Sequence, residues 1–140
     1  MKNVLLDTNI ILDIALERRK FFEKSRELMS LINQQNIPAH VTATTTTDIY
    51  YILKKSKGHK LTIDFLKNLF VFVDIAGVGR KIVLSALESE MTDFEDAVQA
   101  ETAKQNDIGI IITRNKVDFK KCDIEVLTPE EFIRKQLGTI

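Results

Sequence analysis

The stretch Val4-Leu5-Leu6-Asp7-Thr8-Asn9-Ile10-Ile11-Leu12-Asp13-Ile14-Ala15-Leu16 sets the reading of the whole chain. Three successive apolar residues with no alternating polar partner describe a strand buried on both faces, and Asp7 ends it. From Ile10 to Leu16 apolar residues recur at helical intervals, so strand passes almost directly into helix. The same change of period is repeated downstream. Residues 39–43, 71–74 and 108–113 read as buried strands, with 124–127 as a weaker fifth. Between them, residues 21–32, 49–57, 61–69, 82–87 and 94–105 carry apolar side chains three and four positions apart. A last turn or helix follows Pro129, with Glu130 and Glu131 suited to its N-terminal end. Strands alternating with helices imply βαβ units, so the fold class is α/β. The expected architecture is a three-layer sandwich whose mostly parallel, four- to five-stranded sheet is flanked by helices.

At 140 residues the chain suits a single domain spanning 1–140, and no linker-like or repeated segment divides it. Lys plus Arg and Asp plus Glu each total 20, giving zero formal net charge, which argues against attachment to nucleic acid by bulk charge. Cys122 is the single cysteine, so no disulfide can form within the chain. The first residues carry no signal-peptide pattern, and no apolar run reaches the roughly 18 residues of a membrane span. The expectation is a cytoplasmic protein with no membrane association.

In a parallel sheet, ligands bind beyond the carboxyl ends of the strands. Acidic residues collect at those ends. Asp7 follows the first strand, and Asp48 follows the second after a run of threonines. Asp93 and Asp96 open the helix before the strand at 108–113, and Asp118 comes shortly after that strand. Carboxylates gathered at one edge of a sheet repel one another unless cations are bound, and an all-oxygen set suits Mg²⁺ or Mn²⁺. Zinc is disfavoured, because His40 and His59 have no ligand-spaced partners.

Each acid also has a plainer reading. Asp7 suits a helix N-cap, Thr45-x-x-Asp48 forms a loose capping box, and Asp118 lies among Lys116, Lys120 and Lys121 as a solvated residue. Thr92-Asp93-Phe94-Glu95 makes a better capping box, with Thr92 as cap, Asp93 first in the helix and Glu95 reaching back. Asp96 is required by no cap. Asp13, two turns beyond Asp7, reads as solvated or structural. Neither histidine adjoins a nucleophile motif, Cys122 reads as a bystander, and Gly77-Val78-Gly79-Arg80-Lys81 lacks the ending of a phosphate loop.

Residues 5–13 resemble the opening motif of PIN-domain nucleases. Asp93-Phe94-Glu95-Asp96-Ala97 followed by Ile112-Thr113-Arg114-Asn115-Lys116-Val117-Asp118-Phe119 resembles their closing half. The resemblance runs in order over nearly the whole chain and is similar to VapC-like toxins of toxin–antitoxin pairs. It implies a Mg²⁺- or Mn²⁺-dependent endoribonuclease, with an RNA substrate, a cognate antitoxin and a homodimer as expected partners. It implies metal binding by Asp7, Asp96, Asp93 and Asp118, and catalytic roles for Asp7, Asp48, Asp96 and Asp118. Asn9, Thr113 and Asn115 match supporting polar positions. The departure is Asp48, where many relatives carry the longer Glu.

Substrate strands need cations. Arg114 and Lys116 are the nearest in sequence to the acidic stations, and further clusters lie at 18–26 and 54–60. The rival readings are a PIN-like module that binds RNA or a partner with weak or no cleavage, and a haloacid-dehalogenase-like phosphohydrolase. The latter needs a second Asp where Asn9 stands. A receiver domain would need an acidic pair after the first strand and a phosphorylatable Asp after a middle strand, and neither is evident. Setting Asp7, Asp48, Asp96 and Asp118 apart leaves 16 acids against 20 bases, a surface of +4 around an acidic pocket.

Overall fold

In the computed structural model, which describes residues 3–138, the chain runs β1 (Val4–Leu6), α1 (Thr8–Ala15), α2 (Phe22–Gln34), β2 (Ala39–Thr42), α3 (Ala43–Leu69) and β3 (Asp74–Ala76). It continues through α4 (Arg80–Leu87), α5 (Phe94–Gln105), β4 (Ile110–Ile112), a 3-10 turn (Lys116–Phe119), β5 (Glu125–Leu127) and α6 (Pro129–Leu137). The five strands form one sheet in the order β3-β2-β1-β4-β5, and every pairing is parallel. The α/β expectation holds, with a sheet wholly rather than mostly parallel.

Alternation along the strands assigns the two cores. Val4 and Leu6 of β1, with Ile110 and Ile112 of β4, face α1, α2, α3 and α6 through Ile11, Leu28, Ile49 and Phe132. Leu5 and Ile111 face the opposite side, against Ala100 and Ala103 of α5 and Phe119 of the 3-10 turn. Ile82 and Ala86 of α4 pack on Ala97 and Val98 of α5 beyond it. This is the three-layer arrangement. Both faces of β1 and β4 are covered, which is why those strands read as unbroken apolar runs.

Two boundaries depart most from the sequence reading, while the strands read at 39–43 and 108–113 shorten to Ala39–Thr42 and Ile110–Ile112. Strand β3 starts at Asp74, paired with His40, instead of at Val71. The amides of Phe72 and Val73 still bond back to the Leu69 carbonyl (3.3 and 3.1 Å), so the chain is finishing a helix where a strand was expected. The helices expected at 49–57 and 61–69 are the two limbs of α3, which begins earlier, at Ala43, capped by Thr42. They meet at Gly58, whose φ of +80° no β-carbon-bearing residue adopts easily. The Thr62 hydroxyl donates to the Gly58 carbonyl (2.7 Å), and the Tyr50 hydroxyl meets His59 Nδ1 at 2.8 Å across the break.

The chain builds outward from β1 through β2 to β3, then returns to add β4 and β5 on the other side. The strand order therefore reverses between β1 and β4. The crevice beyond their carboxyl ends is where such a sheet offers a site. Asp7 stands at that point, its amide donating to the Ile112 carbonyl of β4 at 3.0 Å. Among the described residues no helix is long and apolar enough to cross a membrane.

Candidate active site

Asp7 is buried and begins α1, yet its side chain caps nothing. Both carboxylate oxygens are spent elsewhere. The Thr113 hydroxyl at the end of β4 donates to Oδ2 (2.7 Å), and Gln99 Nε2 on α5 donates to Oδ1 (3.0 Å). Thr113 and Gln99 are themselves fully buried. The Asn115 amide donates to the Thr113 hydroxyl (3.1 Å), which orients that hydroxyl toward Asp7. Asp7 is thus held from two sides by donors that fix the plane of its carboxylate. The capping reading of Asp7 does not survive.

Helix α5 brings the next carboxylates. Its cap is Asp93, whose side chain accepts from the Asp96 amide (3.0 Å); the expected cap, Thr92, lies one residue too early. With the cap at Asp93, Glu95 is released from the reach-back role expected of it. It instead shares a side-chain hydrogen bond with Asp48 of α3. Partial burial, then the charge and hydrogen bond of Asp48, then Asp7 and Asp93, push the Glu95 carboxyl up to about 7. Asp96 is also pushed up to about 7, by burial first and then by Asp7, Asp93, Asp118 and Glu95. Asp7, Asp48, Asp93, Asp96 and Asp118, drawn from four separated segments, therefore lie within one electrostatic neighbourhood. Glu95 joins them.

Asp48 is positioned by a ladder of hydroxyls. Thr42 caps α3 by accepting from the Thr45 amide (3.0 Å), and it donates to the Thr45 hydroxyl (3.0 Å). The Thr45 hydroxyl meets that of Thr8 on α1 at 2.9 Å. The starts of α1 and α3 are pinned together, which aims the first turns of both helices at one edge of the sheet. The Thr45–Asp48 capping box is replaced by this arrangement, because the helix starts two residues before Thr45.

The supporting and cationic residues divide differently. The Asn9 side chain accepts from Arg18 Nη1 (3.0 Å). Arg18 also contacts Asp13 Oδ1 (3.2 Å), and Arg114 Nε contacts Asp13 Oδ2 (2.9 Å). Asp13 is fully buried between these guanidiniums, so the structural reading of it holds and the solvated one does not. Arg114 also lies over the Phe21 ring, 4.0 Å from its centroid. Lys116 pairs with Glu131 of α6 at 3.0 Å. The hydrogen bond from the Thr128 backbone amide, and then that pairing, hold the Glu131 carboxyl below its ordinary range.

Gln99 and Glu95 escaped the sequence reading. Gln99 stands three residues after Asp96, a long polar side chain within Ala97-Val98-Gln99-Ala100 on the buried side of α5. That position was the available signal. Glu95 was hidden by a cap placed one residue early.

The donor set is all oxygen, with Asp7 pre-oriented and neighbouring acids crowded enough to resist ionising together. Such a set fits a hard divalent cation and not zinc. Among the described residues no three acidic, histidine or cysteine side chains close round a single point, so the cluster is an open one.

A family model for the PIN domain matches residues 3–117. Ribonuclease VapC1 of Aquifex aeolicus (strain VF5) is 30% identical over 139 residues, covering 96% of this chain and 95% of that protein. Among solved structures, DNA-bound VapBC from Salmonella typhimurium superposes with a TM-score of 0.70 at 14% identity, over 92% of this chain and 99% of that one. A toxin–antitoxin complex from Klebsiella pneumoniae gives 0.66 at 22% identity, over 91% and 98%. Those structural likenesses concern the fold, whereas the family match and the Aquifex relative carry the assignment. With the acids of its opening and closing motifs gathered at the reversal point of the sheet, the chain belongs to the PIN-domain family as a homologue of the VapC ribonucleases.

Proposed function

We propose that the chain is a Mg²⁺- or Mn²⁺-dependent endoribonuclease of the VapC type, held in check in the cell by an antitoxin protein and acting as a homodimer. The observation that carries this reading is Asp7, buried at the reversal point and fixed through both oxygens by Gln99 and Thr113, opposite the crowded acids of α5. Nuclease homologues of this type are metal-dependent. In this chain Asp7 and Asp96 would hold the ion, with Asp93 and Asp118 beside them. A divalent ion there supplies a water of lowered pKa and offsets charge on the scissile phosphate.

The chain's own residues do the rest. Gln99 and Thr113 keep the Asp7 carboxylate from rotating, so its orientation costs nothing when substrate arrives. Glu95 lies beside Asp48 at the edge of the site, and their crowding favours the protonated form of Glu95. Glu95 is thereby placed to give or take a proton at the site's edge, and it offers the length that Asp48 lacks relative to the usual Glu. Asn9 is tied to Arg18 and so to Asp13, and Asn115 to Thr113, so both support the frame around Asp7. No side-chain nucleophile is required.

Cleavage of a mixed RNA pool in Mn²⁺, with Asp7→Asn and Asp96→Asn as comparators, tests the reading. Both variants should lose at least about 100-fold in rate while melting like the parent chain. Cleavage by both at the parental rate would overturn it. RNA binding by the parent chain with no cleavage in either metal would favour the non-cleaving module instead.

A further inference from the structure

Beside the acidic centre, the segment joining α1 to α2, the first turns of α2 and the start of α6 enclose a cavity of about 280 Å³. Lys20, Lys24, Arg114 and Phe21 line it. We propose that this cavity is a nucleotide-binding subsite, taking a phosphate and its attached nucleoside from the RNA strand next to the one being cut. The inference rests on the nuclease reading above.

Three observations carry it. The first is charge. The carboxylates in the cavity wall are already engaged, Asp13 by Arg18 and Arg114 and Glu130 by Arg134. Among the described residues Lys20, by contrast, makes no ion pair and lies over the face of Phe21, 5.7 Å from its centroid, and Lys24 has an exposed pairing with Glu27 at 3.3 Å. The cavity therefore offers Lys20, which has no carboxylate partner among the described residues, and Lys24, whose exposed pairing with Glu27 is weak and readily exchanged.

The second is pre-organisation. The Arg114 guanidinium is fixed through Nε on Asp13 and by its stack on Phe21, and among the described residues its terminal nitrogens make no hydrogen bond. A planar fork held at one edge and open at the other suits bidentate contact with a phosphate, and its plane suits stacking with a base. The third is location. Arg114 directly follows Thr113, the residue that holds Asp7, so the β4 exit loop forms a wall of both sites. The volume lies near the roughly 300 Å³ lower end of small-molecule sites, which matches one nucleotide and not a folded partner.

The test is binding of a fluorescent single-stranded RNA by the full chain carrying Asp96→Asn, which prevents cutting. Lys20→Ala/Lys24→Ala is compared with Lys67→Ala/Lys81→Ala, which removes the same charge from exposed positions on α3 and α4. The cavity pair should weaken binding at least about 10-fold and flatten the slope of log K against log salt by about 1–2. The distant pair should change affinity less than about 2-fold. Equal losses in the two pairs would mean bulk charge and overturn the proposal, as would parental affinity in the cavity pair. Cleavage by the unsubstituted chain is scored separately. If it binds RNA through the cavity without cutting, the nuclease reading fails and the subsite stands. If it cuts while the cavity pair binds as the parent does, only the subsite fails. If it binds no RNA, both fail.

Discussion

Removing Arg114 should cost more stability than neutralising the acid it serves. Asp13 is fully buried and carries two charged contacts, 2.9 Å to Arg114 Nε and 3.2 Å to Arg18 Nη1. The arginines retain 22% and 33% of their side-chain exposure, so water partly solvates them and not Asp13. In Arg114→Ala the carboxylate stays buried with one partner of two. Breaking a buried pair in this direction typically costs about 3–5 kcal/mol. Loss of the stack on Phe21 adds about 0.5–1 kcal/mol. In Asp13→Asn the buried charge disappears with its desolvation cost, one amide oxygen still accepts, and both arginines can turn toward solvent. That change should cost about 1.5–3 kcal/mol, the worth of one charge-assisted hydrogen bond. For a domain of this length roughly 3 °C accompanies each kcal/mol. Arg114→Ala should therefore melt about 10–18 °C below the parent chain, and Asp13→Asn about 5–9 °C below it. Urea and thermal unfolding at pH 7 in EDTA read both. A loss under about 1 kcal/mol for Arg114→Ala, or a larger loss for Asp13→Asn, would refute the account of Asp13 as a buried charge that depends on its partners.

Three other outcomes are expected. Glu95 and Asp96 have folded values near 7 against ordinary values of 4.5 and 3.8, so the folded chain binds more protons than the unfolded chain between those limits. The stabilising contribution is complete below about 4 and is lost as pH rises through 7. Metal-free protein should melt lower at pH 8 than at pH 5.5, with a shallower dependence in Asp96→Asn; an unchanged slope in that variant would remove Asp96 from the cluster. Gln99→Leu and Thr113→Val should each weaken Mn²⁺ binding roughly 10–100-fold by freeing the Asp7 carboxylate, as isothermal titration would show. Gly58→Ala meets no atom within 4 Å at its β-carbon, so its cost is the positive φ alone, about 1–2 kcal/mol by urea unfolding.

The fold was legible because buried parallel strands leave an unmistakable trace, and Val4-Leu5-Leu6 and Ile110-Ile111-Ile112 are enclosed on both faces. Edge strand β3 left a weaker one. Asp74 and Ile75 are exposed, so the apolar residues just before them, which close α3, took the strand's place in the reading. The acids were legible as strand-end residues, but their neighbours were not. Gln99 acts on a residue 92 positions away, and nothing local distinguishes it from an ordinary helix glutamine. Glu95 was misread for a different reason. Thr92 and Asp93 both make good caps, and the choice between them decides whether Glu95 reaches back or joins Asp48.

The zero net charge has the same origin as these misreadings. A sum over the chain weighs Asp13, Asp7 and Arg114 like any surface residue, although each is placed by partners far off in sequence. The β4 exit shows what that placement accomplishes. Thr113 turns toward Asp7 at the acidic centre, Arg114 turns toward Asp13 and Phe21, and Asn115 bonds back to Thr113. Successive residues thus serve the acidic pocket and the cationic cavity, within a loop too short to move one without the other. A side chain that loosens Arg114 should therefore also loosen Thr113, and stability and metal affinity should fall together in Arg114→Ala. In Lys20→Ala, which touches only the cavity, they should separate. That divergence, read by melting and Mn²⁺ titration on the same two variants, distinguishes a coupled loop from two neighbouring sites that merely share a sheet edge.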